Sequence, residues 1–135
     1  DQAIYKVFVS STFFANSIDQ IAALSTINFI KKNNVLKKNK VKGKLIENEI
    51  KKAIKNQKIK CNYSGGSWFP CVTFEDNNEN INKKARNIFY GELIENNIFL
   101  APYHHGYIMH KHTLTDVDKF TNIINQAFEK INKNI

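Results

Sequence analysis

Two β-type segments joined by a glycine turn most constrain the fold of this chain. Residues 58–63 alternate apolar and polar side chains, which is the period of a half-buried strand. Residues 64–67 read SGGS and predict a turn, and residues 68–75 form a second β-type segment. Pro70 has no backbone N–H to donate, so the second strand should start late or lie at an edge. We therefore expect an antiparallel hairpin in the middle of the chain.

Amphipathic helical patterns surround this hairpin. Apolar residues recur at spacings of three and four, which predicts helices over residues 17–32, 35–56, 81–95 and 115–131. Short additional strands are expected at residues 4–9, 98–101 and 107–112. Helices and strands in this order predict an α+β fold, a small antiparallel sheet with helices packed on one face.

Length and composition are those of a globular protein. The chain has 135 residues, of which 42% are hydrophobic, enough for one domain with a sizeable core. It has no apolar run of the roughly 18 residues that cross a bilayer and no signal-peptide order, so we expect a cytoplasmic protein without a membrane partner. Because it begins inside an apparent strand without a methionine, we also expect it to be part of a longer protein.

The formal net charge of +8 raises the question of an acidic partner. Twelve of the 20 basic residues fall within residues 31–60, but only Arg86 is an arginine. The sequence shows no arginine-rich or aromatic-interleaved stretch that would bind phosphates in forks or stack on bases. A solvated lysine face is therefore the favoured interpretation, and nucleic acid is disfavoured as a partner. A stand-alone basic module for an acidic partner remains the alternative.

Four histidines fall within nine residues: His104, His105, His110 and His112. On a strand, His110 and His112 would share a face and could hold zinc. No cysteine or carboxylate stands beside them in sequence to complete a metal site. We therefore favour a polar rim that lines a cleft and predict no metal. The sequence also gives no spacing that would assign a catalytic triad.

A group of hydroxyl residues, Ser10, Ser11 and Thr12, stands between the first predicted strand and the first predicted helix. Hydroxyls and free backbone N–H groups at a helix start favour an anion such as phosphate. Serine and threonine are also ordinary turn and capping residues. Local pattern alone leaves both interpretations open.

Several motifs, taken in order, resemble a known family. They are FVSST at residues 8–12, IAALST at 21–26, GKL at 43–45, YGELIENNIFLAP at 90–102 and YHHGYIMHKHTLTDVD at 103–118. The chain resembles the C-terminal part of class III pyridoxal-phosphate aminotransferases. The last motif is most similar to the glutamate-1-semialdehyde aminomutase-like branch.

This resemblance implies a fold type I enzyme that uses pyridoxal 5′-phosphate and transfers an amino group to a small carbonyl substrate. Residues 1–15 would belong to the large domain, and residues 16–135 would form the C-terminal small domain. In the family, a threonine at the place of Thr12 donates to the cofactor phosphate, commonly that of the neighbouring subunit of a homodimer. Ser11 would be a second cofactor-binding donor.

The chain departs from the family pattern in two respects. The Schiff-base lysine lies upstream of the threonine motif, and Lys6 does not match its place, so the segment should contain no catalytic residue and be inactive alone. Many members also carry an arginine that grips a substrate carboxylate, but residues 107–112 contain none. That difference disfavours ornithine-type and γ-aminobutyrate-type substrates and favours the aminomutase-like branch or relatives with other carbonyl substrates.

Overall fold

The structure is a computed structural model, and it describes residues 16–135. The predicted phosphate ligands Ser11 and Thr12, and the strand predicted at residues 4–9, lie outside the described residues. The chain divides into two compact units, Asp1–Val35 and Leu36–Ile135, and each is described by itself. The domain boundary expected after residue 15 stays a prediction.

The first unit contains helix α1 (Ser17–Lys32). Asn16 caps it, because the side-chain oxygen of Asn16 accepts the backbone N–H of Ile18 at 3.0 Å. None of the residues of α1 is buried. Ile18, Ile21 and Leu24 are 75%, 64% and 60% exposed. The helix therefore presents apolar side chains of the size that normally fill a core.

The second unit contains the predicted hairpin. Strands β1 (Cys61–Ser64) and β2 (Cys71–Phe74) are antiparallel, with Cys61 opposite Phe74 and Ser64 opposite Cys71. The late start of β2, directly after Pro70, confirms the prediction from that proline. Helix α2 (Val35–Lys55) precedes the hairpin, and helices α3 (Glu79–Glu95) and α4 (Leu114–Asn134) follow it.

Both late helices begin at clear capping residues. The Asn78 side chain accepts the backbone N–H of Asn80 at the start of α3. At the start of α4, the Thr113 hydroxyl accepts the backbone N–H of Asp116, and the Asp116 carboxylate accepts the Thr113 backbone N–H at 2.7 Å. This reciprocal capping box satisfies two donors that a helix start leaves free.

The core lies between the hairpin and the two late helices. The Phe74 ring on β2 lies 5.7 Å from the Phe89 ring on α3, and the Phe89 and Phe128 ring centroids are 5.3 Å apart. Completely buried aliphatic residues surround these rings, namely Ala85, Leu93, Ile124, Ala127 and Ile131. Helices thus pack on one face of a two-stranded antiparallel sheet, which confirms the predicted α+β fold.

Two predicted strands are wrong. Residues 98–101 and 107–112 are coil and turn, and the sheet of the described region has two strands. Pro102 follows the first segment, and Tyr103 has a φ of 60°, so the chain turns there before a ladder can form. In the second segment, side chains of α2 bind backbone carbonyls that strand pairing would otherwise use. The alternation of residues 107–112 could not reveal these long-range partners.

No described helix combines the length and the apolar character that would let it span a bilayer.

Candidate functional site

Helix α2 holds the histidine-containing segment, residues 101–113, in place. The Asn39 side chain donates to the backbone carbonyl of Ile108 at 2.9 Å. One turn later, the Lys42 ammonium donates to the carbonyls of Met109 at 2.9 Å and His112 at 2.8 Å. A third bond from Lys42 reaches the carbonyl of His110 at 3.2 Å. All three protons of this ammonium are therefore engaged.

The Lys42 side chain is buried, with 7% of the residue exposed. Burial lowers the pKa of its ammonium, and the nearby Asp116 carboxylate partly opposes that effect. Because the three carbonyls complete its hydrogen bonding, Lys42 stabilises the local backbone. Its amine has no proton left to donate to a substrate while these bonds are kept.

His112 has a defined tautomer. Its Nδ1 accepts the backbone N–H of Met109 at 3.2 Å, so the proton of the neutral ring lies on Nε2. The ring also lines a cavity of about 340 Å³. Of the four histidines expected to form a polar rim, His112 lines this cavity and offers a hydrogen-bond donor there.

This cavity combines apolar walls with a short polar rim. Its apolar lining includes Ile46, Pro70, Ile108, Val117 and Phe120, and its polar lining includes His112, Asp116 and Lys119. Asp116 is already engaged by the Thr113 backbone and hydroxyl, which lower the pKa of its carboxyl. The cavity is therefore suited to a mostly apolar group that carries a few polar atoms.

The metal geometry considered for the histidines is not present in the described region. His110 and His112 do not share a strand face, because residues 107–112 are not a strand. His104 and His105 lie in the preceding turn, where the His104 Nδ1 is 3.0 Å from the His105 carbonyl oxygen. Residues 16–135 contain no group of three side chains placed to hold a metal ion.

Helix α2 also fixes the turn between β1 and β2. The Ser67 hydroxyl donates to the Glu47 carboxylate at 2.7 Å, and the Lys51 ammonium lies 2.6 Å from the same carboxylate. Hydrogen bonds from Lys51 and Ser67 lower the pKa of Glu47 to about 2. Gly43 contacts the same turn so closely that an added Cβ would overlap the Ser67 carbonyl oxygen. This contact explains the glycine that interrupts the helical pattern.

A group of rings, exposed except for the half-buried Trp68, forms where the hairpin turn meets the histidine segment. We call Trp68, Phe69, His104, His105 and Tyr107 the aromatic surface. The Phe69 ring lies 6.0 Å from the Tyr107 ring, 6.4 Å from the His105 ring and 6.3 Å from the Trp68 ring. The His104 and Tyr107 rings are 6.2 Å apart, which completes the group.

Sequence reasoning missed the aromatic surface, because its two halves are more than thirty positions apart in the chain. Two backbone hydrogen bonds join them. Gly106 donates to the Pro70 carbonyl at 2.9 Å, and Ile108 donates to the Trp68 carbonyl at 3.3 Å. The Lys40 ammonium lies 5.7 Å from the Trp68 ring centroid. A lysine of α2 thus makes a cation–π contact that the sequence pattern did not indicate. The signal that could have revealed this surface is the high density of aromatic and histidine residues beside the SGGS turn and beside the turn that follows Pro102.

Comparison with known proteins identifies a related enzyme class. No family model matches the chain. The chain is 35% identical over 128 residues to the 3-aminobutyryl-CoA aminotransferase of Cloacimonas acidaminovorans (strain Evry). The match covers 95% of this chain and 31% of the relative, so the chain spans about a third of the relative's length.

The fold agrees with that of a solved protein that binds pyridoxal phosphate. The structure superposes on the FumI protein of Sphingopyxis sp. MTA144, solved in its PLP internal aldimine form, with a TM-score of 0.77. This superposition covers 98% of the present chain and 31% of the solved chain, at 16% identity. The resemblance indicated by the motifs is confirmed at this level: the chain is similar to about a third of a pyridoxal-phosphate-dependent aminotransferase, and the aminomutase-like branch stays a prediction.

Proposed function

We propose that this chain is the C-terminal part of a pyridoxal-phosphate-dependent aminotransferase, which moves an amino group from a small amine to a small carbonyl compound. The single observation that carries the proposal is the 35% identity along 95% of the chain. The motifs at residues 90–118 and the α+β fold agree with it. The enzyme would act in the cytoplasm.

The proposed cofactor contact in this chain is a phosphate contact. The Thr12 and Ser11 hydroxyls can donate hydrogen bonds to a phosphate dianion. Such hydrogen bonds are charge-assisted, and they strengthen the binding of the phosphate. When bound, pyridoxal phosphate supplies the electrophile that carries the amino group and the electron sink that labilises the adjacent proton. This chain would anchor and orient the phosphate, and the Schiff-base lysine would come from sequence before it.

No described lysine replaces that Schiff-base group in our proposal. Lys42 is a buried lysine, but the three protons of its ammonium are hydrogen-bonded to backbone carbonyls, so it is not available to form a Schiff base. Lys6 does not match the family position. The segment alone would therefore be inactive.

The absence of arginine in residues 107–112 supports a substrate without a free carboxylate beside the reacting centre. The curated relative is named for a coenzyme A thioester, in which the carboxyl group is masked. We infer that this enzyme acts on an amino-acyl or keto-acyl thioester. An aminomutase-like exchange within one substrate is the second possibility, and it rests on the similarity of residues 103–118 to that branch.

A homodimer is also proposed, with Thr12 reaching the cofactor phosphate across the subunit interface. The exposed apolar residues of α1 support burial of this helix in the complete enzyme, since Ile18, Ile21 and Leu24 are each at least 60% exposed here. Light scattering of the complete enzyme measures its subunit number.

The alternative function, a stand-alone basic module, has weaker support. Several lysines of α2 already have partners: Lys42 binds carbonyls, and Lys44 and Lys51 lie 3.2 Å and 2.6 Å from the Glu47 carboxylate. These lysines therefore contribute less positive charge for binding an acidic partner than the number of lysines in the sequence indicates. The module predicts nucleic-acid binding that falls steeply with salt.

An assay of the complete enzyme tests the proposed function. The enzyme that carries this chain is purified with pyridoxal phosphate and supplied with an amine donor and a β-ketoacyl thioester or a free keto acid. We expect transfer of the amino group, detected as the aminated product by mass spectrometry. No transfer to any carbonyl acceptor, together with no cofactor absorbance, contradicts an aminotransferase.

A further inference from the structure

We infer that the aromatic surface, together with Lys40, binds the adenosine-phosphate end of a coenzyme A thioester. The inference deepens the proposed function and rests on it, because it assumes a thioester substrate. It assigns a role to residues far in sequence from the expected phosphate ligands Ser11 and Thr12.

The rings are placed for stacking on a base. Phe69 and Tyr107 are 43% and 60% exposed, although their centroids are only 6.0 Å apart. The two rings pack edge to face with 73° between their planes, so a flat heterocycle would stack on the solvent-exposed face of one ring and not between the two. Stacking of one base contributes about 1–3 kcal/mol. The adenine of coenzyme A is a heterocycle of this kind.

The surroundings favour negatively charged groups. The two segments that form the surface, residues 64–70 and 101–113, contain no aspartate or glutamate. They contain four histidines and Lys111, and Lys40 stands over Trp68. Glu47 contacts the turn between β1 and β2, but the ammonium groups of Lys44 and Lys51 balance the negative charge of its carboxylate. The phosphates of coenzyme A would therefore meet the Lys40 ammonium and imidazole N–H donors, with no aspartate or glutamate in the same two segments.

The surface is continuous with the cavity. Tyr107 belongs to the aromatic surface and also lines the cavity of about 340 Å³, whose walls include Leu100, Ile108 and Phe120. A ligand with a charged aromatic end and a long arm that carries a few polar groups, as in coenzyme A, fits a surface that leads into this cavity. A free amino acid is too short to use both.

The test measures binding rather than turnover. The complete enzyme with its cofactor is titrated calorimetrically with coenzyme A and with adenosine 3′,5′-bisphosphate, which lacks the pantetheine arm. Phe69→Leu removes the ring and keeps an apolar side chain, whereas Phe69→Tyr keeps the ring. Lys40→Ala is matched with Lys52→Ala, another exposed lysine of the same helix.

We expect coenzyme A and the bisphosphate to compete for one site. Phe69→Leu should weaken coenzyme A binding about tenfold, and Phe69→Tyr should retain most of the affinity. Lys40→Ala should weaken it about threefold, with Lys52→Ala unchanged. Equal affinity for the wild type and Phe69→Leu would overturn the inference.

Two further outcomes separate this inference from the proposed function. An enzyme that transaminates a free keto acid but binds no coenzyme A overturns the nucleotide site and leaves the aminotransferase intact. An enzyme that binds coenzyme A at this surface but transfers no amino group contradicts the aminotransferase. A single-stranded oligonucleotide that binds more tightly than coenzyme A, and is weakened by the same variants, would instead assign the surface to nucleic acid.

Discussion

A β-carbon on Gly43 would overlap the carbonyl oxygen of Ser67. Helix α2 can approach the hairpin turn this closely only because position 43 lacks a side chain. The approach brings Glu47, one turn later, within 2.7 Å of the Ser67 hydroxyl. One glycine thereby permits both the backbone contact and the buried hydrogen bond.

The first prediction concerns this glycine. Gly43→Ala should destabilise the protein by about 1–3 kcal/mol, because overpacking against Ser67 outweighs the gain in helix propensity. The matched control is Gly91→Ala in α3, where an added Cβ meets nothing within 4 Å and should stabilise the helix by up to about 1 kcal/mol. Urea unfolding followed by circular dichroism measures both. Equal stabilisation by the two substitutions would refute the close contact.

The second prediction concerns the buried ammonium of Lys42. Lys42→Met keeps the apolar stem but leaves the carbonyls of Met109 and His112 without their donor, which should cost about 1–3 kcal/mol. Amide hydrogen exchange should accelerate in residues 107–113. Lys38→Met, at an exposed position of the same helix, is the control and should change neither quantity. Unaltered exchange in Lys42→Met would show that the segment does not depend on this contact.

The third prediction concerns pH. The pKa of Glu47 is lowered from 4.5 to about 2, so the folded state holds this proton less tightly than the unfolded state does. The stability that Glu47 contributes is therefore fully present above pH 4.5 and is lost as pH falls towards 2.

Glu47→Gln should remove this part of the acid sensitivity, and Glu49→Gln on the same helix should not. Urea midpoints measured at intervals from pH 7 to low pH give the comparison. The wild type and Glu47→Gln should converge as pH falls through this window. A constant difference between them would argue against the carboxylate as the cause.

The fourth prediction concerns the proposed phosphate contact. In the complete enzyme, Thr12→Val should weaken retention of pyridoxal phosphate about tenfold, because a charge-assisted hydrogen bond of about 1.5–3 kcal/mol is lost. Thr26→Val is the control, since the Thr26 hydroxyl bonds to the Ala22 carbonyl of its own helix. Cofactor absorbance after dialysis measures retention. If both variants keep the cofactor equally, Thr12 does not bind the phosphate.

Sequence patterns predicted the regular elements well because their signals are local. Helical spacing predicted the four helices, the SGGS turn predicted the hairpin, and Pro70 predicted the late start of β2. The ordered motifs at residues 90–118 indicated the aminotransferase relationship that the comparisons confirmed. The helices and the hairpin depend on residues a few positions apart. The resemblance depends on motifs that occur in the same order in this chain and in the aminotransferases.

The errors involve partners that are distant in sequence. Residues 107–112 alternate like a strand, but Asn39 and Lys42 bind their carbonyls from about seventy positions away. Separation in sequence also concealed the aromatic surface, since Phe69 and Tyr107 are 38 positions apart and meet only through tertiary folding. Counting Lys42 as a surface charge was wrong for the same reason.

Successive turns of α2 contact two different loops, with Asn39 and Lys42 on the histidine segment and Gly43 and Glu47 on the hairpin turn. The rotation of this one helix, together with the direct backbone hydrogen bonds between the two loops, therefore sets the relative position of Trp68 and Tyr107. A single residue inserted between positions 42 and 47 would turn the later contacts by about 100° relative to the earlier ones. Homologous enzymes should consequently tolerate length changes in the loops more readily than in this stretch of helix.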